Sequence, residues 1–482
     1  MKTKPSLLAL VLLAGLGLTA CVAVGPDYET PVMDVPAAWR QSGLKADGEK
    51  QVAEAIDLSR WWRELDDPVL NDLVTDALKA NLDLATARAQ LREARAQRAL
   101  AGAQLGPTVD VSTSATRRQS SEKSGSGATS ELYNAGFDAD WEVDIFGGLR
   151  RGLEAAEADL DAGMEGLRDT QVSIVAEVVL NYVDLRTAER RLTIAEDNIA
   201  SLNEIFELAR WRFQAGLVSE IDVAAARTEL ESTRADLPSL RTTTVEARNR
   251  LAVLLGRKPG DLESRLSVSG AIPLAEHAVA VGIPADILRQ RPDVRAAERK
   301  LAAQTARLGE AEADRYPSFN LSGSVGLEAL TLSGLGSGSA ALYSLLGSMT
   351  APIFHSGRIL ANIETQDALL EQARLAYKTA VLTALEDVEN ALVAVTNTSE
   401  RRNKLMQAAD SARETLRLAE QRYASGLIDF LTVLDSQRTV LNLEDDLAGS
   451  TGELAAAQIQ LYKALGGGWS VAPEQENHRN AS

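Results

Sequence analysis

The sequence predicts a mixed α and β membrane protein, written as a tandem structural repeat, whose four strands contribute to a barrel shared between subunits. Three observations carry that prediction. Residues recur at a constant interval along the chain, four short segments alternate apolar and polar side chains, and the stretches between them hold apolar residues at heptad spacing.

The chain of 482 residues opens on "MKTKPSLLALVLLAGLGLTAC". Lys2 and Lys4 precede an apolar run from Leu7 to Leu18, and small residues lead to Cys21. The run is too short to span a bilayer, so residues 1–20 read as a signal peptide. "LTAC" resembles a bacterial lipobox, in which the cysteine becomes the acylated first residue. Cys21 is therefore expected to carry covalent lipid, with no other cofactor. It is the only cysteine, so no internal disulfide can form. Val22 follows it, where the resembled lipoproteins use Asp for inner-membrane retention; outer-membrane sorting is expected. The lipidated segment 21–67 is expected to pack on the helices through Trp61 and Trp62.

Hydrophobic residues make up 45% and charged residues 24% of the chain, which fits a folded protein. Aromatics are only 4%, so the core must come from Ala, Leu and Val in closely packed helices. The net charge of −18 leaves no basic excess for nucleic acid. No later hydrophobic run reaches helical spanning length, so a membrane crossing must use strands.

The interval is 210 residues: Pro107 recurs as Pro317, Gly216 as Gly426, and Asp83 as Asp293. It divides the chain into a first repeat at 68–256, a linker at 257–283, a second repeat at 284–466 and a tail at 467–482. In the first repeat a helix is expected from Pro68 to Leu105, stopped by Gly106-Pro107. Strands follow near 108–117 and 133–146, joined by the polar loop "QSSEKSGSGATSE". A helix from Gly148 to Ala215 comes next, roughly 100 Å long at about 1.5 Å per residue. The second repeat places strands near 318–328 and 341–354 and a helix from Gly357 to Ser425.

In the segment "FDADWEVDIF" the odd positions are Phe137, Ala139, Trp141, Val143 and Ile145, and the even ones are Asp138, Asp140, Glu142 and Asp144. One face is oily and the other carries a column of four acids. Val109 and Val111, then Phe319, Leu321 and Val325, continue the oily face in other strands; the fourth is less clean, with Leu346 out of pattern. Apolar outside and polar inside, over about ten residues, is the pattern of a transmembrane barrel. Four strands are too few to close one, since single-chain barrels begin at about eight. Open edges in lipid are forbidden, so the barrel must be shared by two or three copies.

Heptad positions run through Leu153, Leu160, Leu167 and Ile174, and then, after a four-residue stutter, through Leu185, Leu192, Ile199, Phe206 and Phe213. Val223, Leu230, Leu237, Thr244 and Leu251 continue after a tight turn, matched by Val433, Val440, Leu447, Leu454 and Leu461. Gly216 and Gly426 suit the left-handed residue that ends a helix. Ser219 suits an N-cap with Asp222 completing a capping box, and Asp429 suits a cap alone.

"WEVDIFGGLRR", "RPDVRAAE", "APIFHSGR" and the "AGL" and "SGL" turns resemble the TolC/OprM family of outer-membrane efflux proteins, and "VGPDYETP" with the lipobox resembles its NodT-type lipoproteins. That resemblance implies a homotrimer whose twelve-stranded β-barrel continues into a long α-helical barrel. It implies the outer-membrane duct of a tripartite pump exporting drugs, metals or solvents, joined by a periplasmic adaptor to an inner-membrane transporter of RND type. A type I protein-secretion duct and a coiled-coil tethering lipoprotein without a channel are the alternatives. By resemblance Asp435 is the pore-constricting acid of the periplasmic gate, with Arg422, Tyr423 and Asp429 beside it. The family's second acid is absent at Thr432. Arg212, Gly216, Leu217, Ser219, Gly426 and Leu427 resemble adaptor-docking turns, with simple helix capping as the plain structural reading. His277, His355 and His478 have no metal-ligand spacing, and no catalytic constellation is present, so no enzyme is expected.

Overall fold

The computed structural model describes residues 23–33, 35–40, 57–275 and 284–469. Cys21, His277 and His478 lie outside the described residues. A 3₁₀ turn at Leu58–Leu65 precedes helices α1 (Pro68–Ala80) and α2 (Leu82–Ala103), strands β1 (Thr108–Gln119) and β2 (Thr129–Glu142), and helices α3 (Gly148–Gln214) and α4 (Glu220–Leu254). The second half runs α5 (Pro284–Gln290), α6 (Pro292–Ala313), β3 (Ser318–Ala329), β4 (Ala341–Thr350), α7 (Arg358–Ala424) and α8 (Phe430–Ala464). Two compact units emerge, one from Met1–Met33, Gln90–Met164 and Ala296–Thr379, the other from Asp34–Ala89, Glu165–Arg295 and Ala380–Ser482. Each draws on both repeats.

The first unit holds one sheet, ordered β1-β2-β3-β4 with every neighbour antiparallel. Register keeps the faces intact: Val111 pairs with Phe137, Phe137 with Val325, and Val325 with Tyr343. Leu346 pairs with Ser322 and therefore lies on the polar face, as its break in alternation requires. Beneath the sheet Phe146 stacks on Tyr316 at 4.8 Å. The N-terminal strap is tied to this unit by Val24, whose N–H donates to the Phe146 carbonyl at 2.9 Å. Arg151, only 4% exposed, donates to the carbonyls of Val24 and Gly25 and to the Asp27 carboxylate. Tyr28 donates to Glu298, and burial with that carboxylate pushes its phenol up to about 12.

The second unit contains the main core. Leu70, Leu73, Val74, Val178, Val179, Leu251 and Ile459 are fully buried there, and Trp61 stacks on Tyr462 at 4.8 Å. Each such leucine contributes about 1.5–3 kcal/mol by leaving water. The expected single helix from Pro68 to Leu105 is in fact two. Asn81 breaks it, with its side-chain oxygen accepting the N–H groups of Asp83 and Leu84 and its amide donating to the Leu254 carbonyl at 2.8 Å. One residue thus caps the start of α2 and the end of α4. Arg291 stands at the matching place in the second repeat and donates to the Ala464 carbonyl at 2.9 Å. Asp293 and Asp387 hold its guanidinium, which gives the "RPDV" motif a structural task.

Along the long helices the heptad reading is close but rotated. Leu202 and Ala209 are the buried positions, with Ile199 and Phe206 flanking them. Leu230, Thr244 and Leu251, and Val433, Val440, Leu454 and Leu461, are buried as their spacing predicts. Leu251→Ala should lower unfolding stability by about 2–5 kcal/mol, because it empties a site with 0% exposure. The denaturant midpoint reads this loss, and Val268→Ala, at a side chain 77% exposed, should leave the midpoint unchanged.

Candidate functional site: two helical turns and the acidic face of the sheet

The two turns are built alike because their sequences demand the same chain reversal. Gly216 and Gly426 both sit at φ 73°, where a side chain would clash with its own backbone. Leu217 N–H reaches back to the Arg212 carbonyl and Leu427 N–H to the Arg422 carbonyl, each at 2.9 Å, closing the ends of α3 and α7. Ser219 and Asp222 then form the full capping box that opens α4. Asp429 opens α8 by accepting the Thr432 N–H at 2.8 Å and its hydroxyl at 2.5 Å. Those bonds, the hydroxyl's first, hold the Asp429 carboxyl below its ordinary value of 3.8.

Packing behind the turns is a separate small cluster of Leu202, Ala209, Ala226, Leu230, Phe430 and Leu434. Tyr423 lies against it, 5.7 Å from the Phe430 ring, and the Arg212 guanidinium sits over the Tyr423 ring at 4.5 Å. The structure therefore brings Arg212 to Tyr423, a link between two of the expected residues that spacing alone does not show. Arg422 is exposed. Asp435, 71% exposed, pairs with Arg438 at 2.8 Å. Arg438 is a residue the sequence reading missed; the signal was the three-residue spacing that places opposite charges on one helical face. Leu217 and Leu427, 72% and 73% exposed, leave an apolar tip on each turn.

On the sheet, Asp138, Asp140 and Glu142 occupy the polar face, joined by Asp110, which pairs directly with Asp138. Ser112 donates to Asp138 at 2.5 Å and Asn320 donates to Asp140 at 3.0 Å. Asp144 does not belong to this column. Strand β2 ends at Glu142, and the Asp144 carboxylate turns to accept the N–H of Arg150 at 2.9 Å and pair with its guanidinium. It anchors the first turn of α3. The opposite face leaves Val109, Val111, Phe137, Val325, Leu345 and Met349 between 54% and 77% exposed.

A sheet that is oily on one face and wet on the other defines a membrane protein that crosses its bilayer with strands, and among the described residues no helix is long and apolar enough to do so. The chain belongs to the outer membrane efflux protein family, which matches residues 73–257 and again 283–467. The two matches are spaced as β1 is from β3. Nodulation protein T of Rhizobium leguminosarum bv. trifolii is 33% identical over 454 residues, covering 94% of this chain and 96% of that protein. The solved outer-membrane channel OprN is 36% identical with a TM-score of 0.87, over 92% of this chain and 99% of that one. The open-state outer membrane channel MtrE of Neisseria gonorrhoeae is 29% identical with a TM-score of 0.83, over 93% and 99%. The protein is thus an outer-membrane efflux channel, of a family of channels and not of enzymes.

The cap on α8 gives a measurable consequence. Asp429→Ala should make the Thr432 amide exchange hydrogen severalfold faster while leaving amides in the main core unchanged. Because folding depresses this carboxyl, its contribution is complete above the unfolded carboxylate range and fades as pH falls through the lower folded value. Exchange of Thr432 should therefore be insensitive to Asp429 protonation at neutral pH and become sensitive only in strong acid.

Proposed function

We propose that three copies of this chain form the outer-membrane duct of a tripartite pump that exports small molecules. The carrying observation is the four-stranded sheet with an exposed apolar face, whose outer strands β1 and β4 each pair on one side only. Backbone groups at such edges need partners in lipid, and three sheets supply twelve strands, the number the family resemblance implies. Acyl chains on Cys21 add a second hold on the outer membrane. Cargo passes passively, driven by an inner-membrane transporter of RND type that a periplasmic adaptor joins to the duct. The exposed Leu217 and Leu427 beside Arg212, Gly216, Ser219 and Gly426 are the adaptor's docking surface.

Asp435 forms the gate ring, with Arg422, Tyr423 and Asp429 around it. The ion pair with Arg438 makes that ring mixed in charge rather than purely acidic. Tyr423 under Arg212 holds the two turns together near it.

Native mass spectrometry in detergent should give three chains, each carrying acyl chains on Cys21. A stable monomer would sink the shared barrel, and an unmodified Cys21 would remove the lipid anchor.

Asp435→Ala leaves Arg438 without its carboxylate, so the ring becomes basic. Planar-bilayer recordings should then show weaker block by polyvalent cations and a shift of selectivity toward anions. Unchanged block and selectivity would return Asp435 to an ordinary helix charge.

A further inference from the structure

Within the second unit, α3, α7, α8 and the start of α6 line a cavity of about 360 Å³. Pockets that take small molecules begin at roughly 300 Å³. Its walls carry the charges of Asp169, Arg291, Asp293, Asp387 and Lys463. Three of these are occupied with one another. Arg291 holds Asp293 through bonds of 3.0 and 2.7 Å and Asp387 through one of 2.9 Å. Its remaining nitrogen donates to the Ala464 carbonyl. Asp169 and Lys463 are left over. Both are half-buried, and among the described residues neither has an ion pair within 4.0 Å. They attract one another through space without touching. Burial, and after it the charge of Asp293, pushes the Asp169 carboxyl above its ordinary value of 3.8.

The first repeat shows the same place with its charges closed. At the 210-residue interval Asp387 corresponds to Glu177, and Gln460, another wall residue, to Arg250. Glu177 and Arg250 form an ion pair at 3.1 Å that ties α3 to α4. Asp169 corresponds to Thr379 and Lys463 to Val253, neither of them charged. The second repeat therefore lacks that bridge and carries instead one unpaired charge of each sign beside a cavity. Half-buried charges without partners cost free energy, so two of opposite sign on one cavity point to an occupant that pairs both.

We propose that this cavity binds a small zwitterion of the amino-acid type, its ammonium on Asp169 and its carboxylate on Lys463. Val172, Ala391 and Ala394 supply an apolar wall for a short alkyl side chain, and the Asn390 and Gln460 amides supply further hydrogen bonds. The two signs decide the class. A simple cation would leave Lys463 unpaired, and a simple anion would leave Asp169 so. The bound molecule joins α3 to α8 as the Glu177–Arg250 pair joins α3 to α4. The site lies within one chain, so it depends neither on the number of copies assembled nor on what the channel exports.

The test uses the full chain in detergent and three probes built on one branched alkyl chain. L-leucine carries both charges, 3-methylbutylamine only the ammonium, and 4-methylpentanoate only the carboxylate. Isothermal titration at neutral pH should show saturable leucine binding, with each half-probe about tenfold weaker for want of one charge-assisted contact. Asp169→Asn should weaken leucine and the amine while leaving 4-methylpentanoate unchanged. Lys463→Gln should weaken leucine and 4-methylpentanoate while leaving the amine unchanged. Arg250→Gln, at the counterpart of Gln460, should change none of the three. Leucine should also raise the thermal midpoint of the parent protein more than that of either cavity variant. Leucine that fails to bind saturably, or binds no tighter than either half-probe, overturns the proposal. So does leucine binding that survives both Asp169→Asn and Lys463→Gln in full. Where a variant does not fold, the comparison of the three probes on the parent protein decides alone.

Discussion

A backbone amide in hydrocarbon must find a partner within the protein, and a four-stranded sheet leaves the outward-facing groups of β1 and β4 without one. That requirement shapes the rest of the molecule. A single copy of the sheet would enter lipid with two open edges, which is the physical ground for the shared barrel proposed above. The requirement also explains the economy of the strands. β1 and β3 are 12 residues each, enough for a tilted crossing and no more.

Duplication uses one backbone solution twice: the β1–β2 register recurs in β3–β4 at the 210-residue interval. The same logic recurs in the helices. Asn81 receives the end of α4 and Arg291 receives the end of α8, at matching places in the two repeats. The chemistry differs, because Asn81 also caps the next helix with its own oxygen. Arg291 cannot accept a hydrogen bond, and Asp293 takes over by accepting the Val294 N–H. A backbone problem that is identical in both repeats is solved by different side chains, so sequence identity between the repeats understates their structural identity.

Much of this was legible in the sequence. The 210-residue interval, the alternation in the strands and the two turn glycines follow from local rules, and Ser219, Asp222 and Asp429 cap as their positions demand. What escaped depended on partners distant in the chain or on a local competitor. The break at Asn81 is set by the Leu254 carbonyl, far along the chain. Alternation continues past Glu142 through Val143 and Ile145, yet Arg150 captures Asp144 and the strand stops. The heptad series through Ile199 and Phe206 marks a flank, because Leu202 and Ala209 are the positions that pack with Ala226, Leu230, Phe430 and Leu434 from other helices. Around the proposed gate, the family resemblance pointed to Asp435, Asp429, Tyr423 and Arg422 but not to Arg438, which pairs with Asp435 at 2.8 Å.

The column of carboxylates on the wet face is the remaining puzzle, since like charges opposite one another in a sheet are destabilising. Divergence between the repeats resolves most of it. The acids Asp138 and Asp140 correspond to Ser348 and Thr350, and Asp110 corresponds to Asn320. At the seam inside the chain, Glu142 therefore meets Asn320, and Asp140 meets Ser322, with Asn320 also donating to Asp140. Had the second repeat kept an acid at position 320, that seam would set two carboxylates side by side. The one facing pair left is Asp110 with Asp138, within the first repeat, where Ser112 donates to Asp138. Asp138, Asp140 and Glu142 thus stay on the polar face, and across the β2–β3 pairing each meets a neutral polar residue that does not repel it.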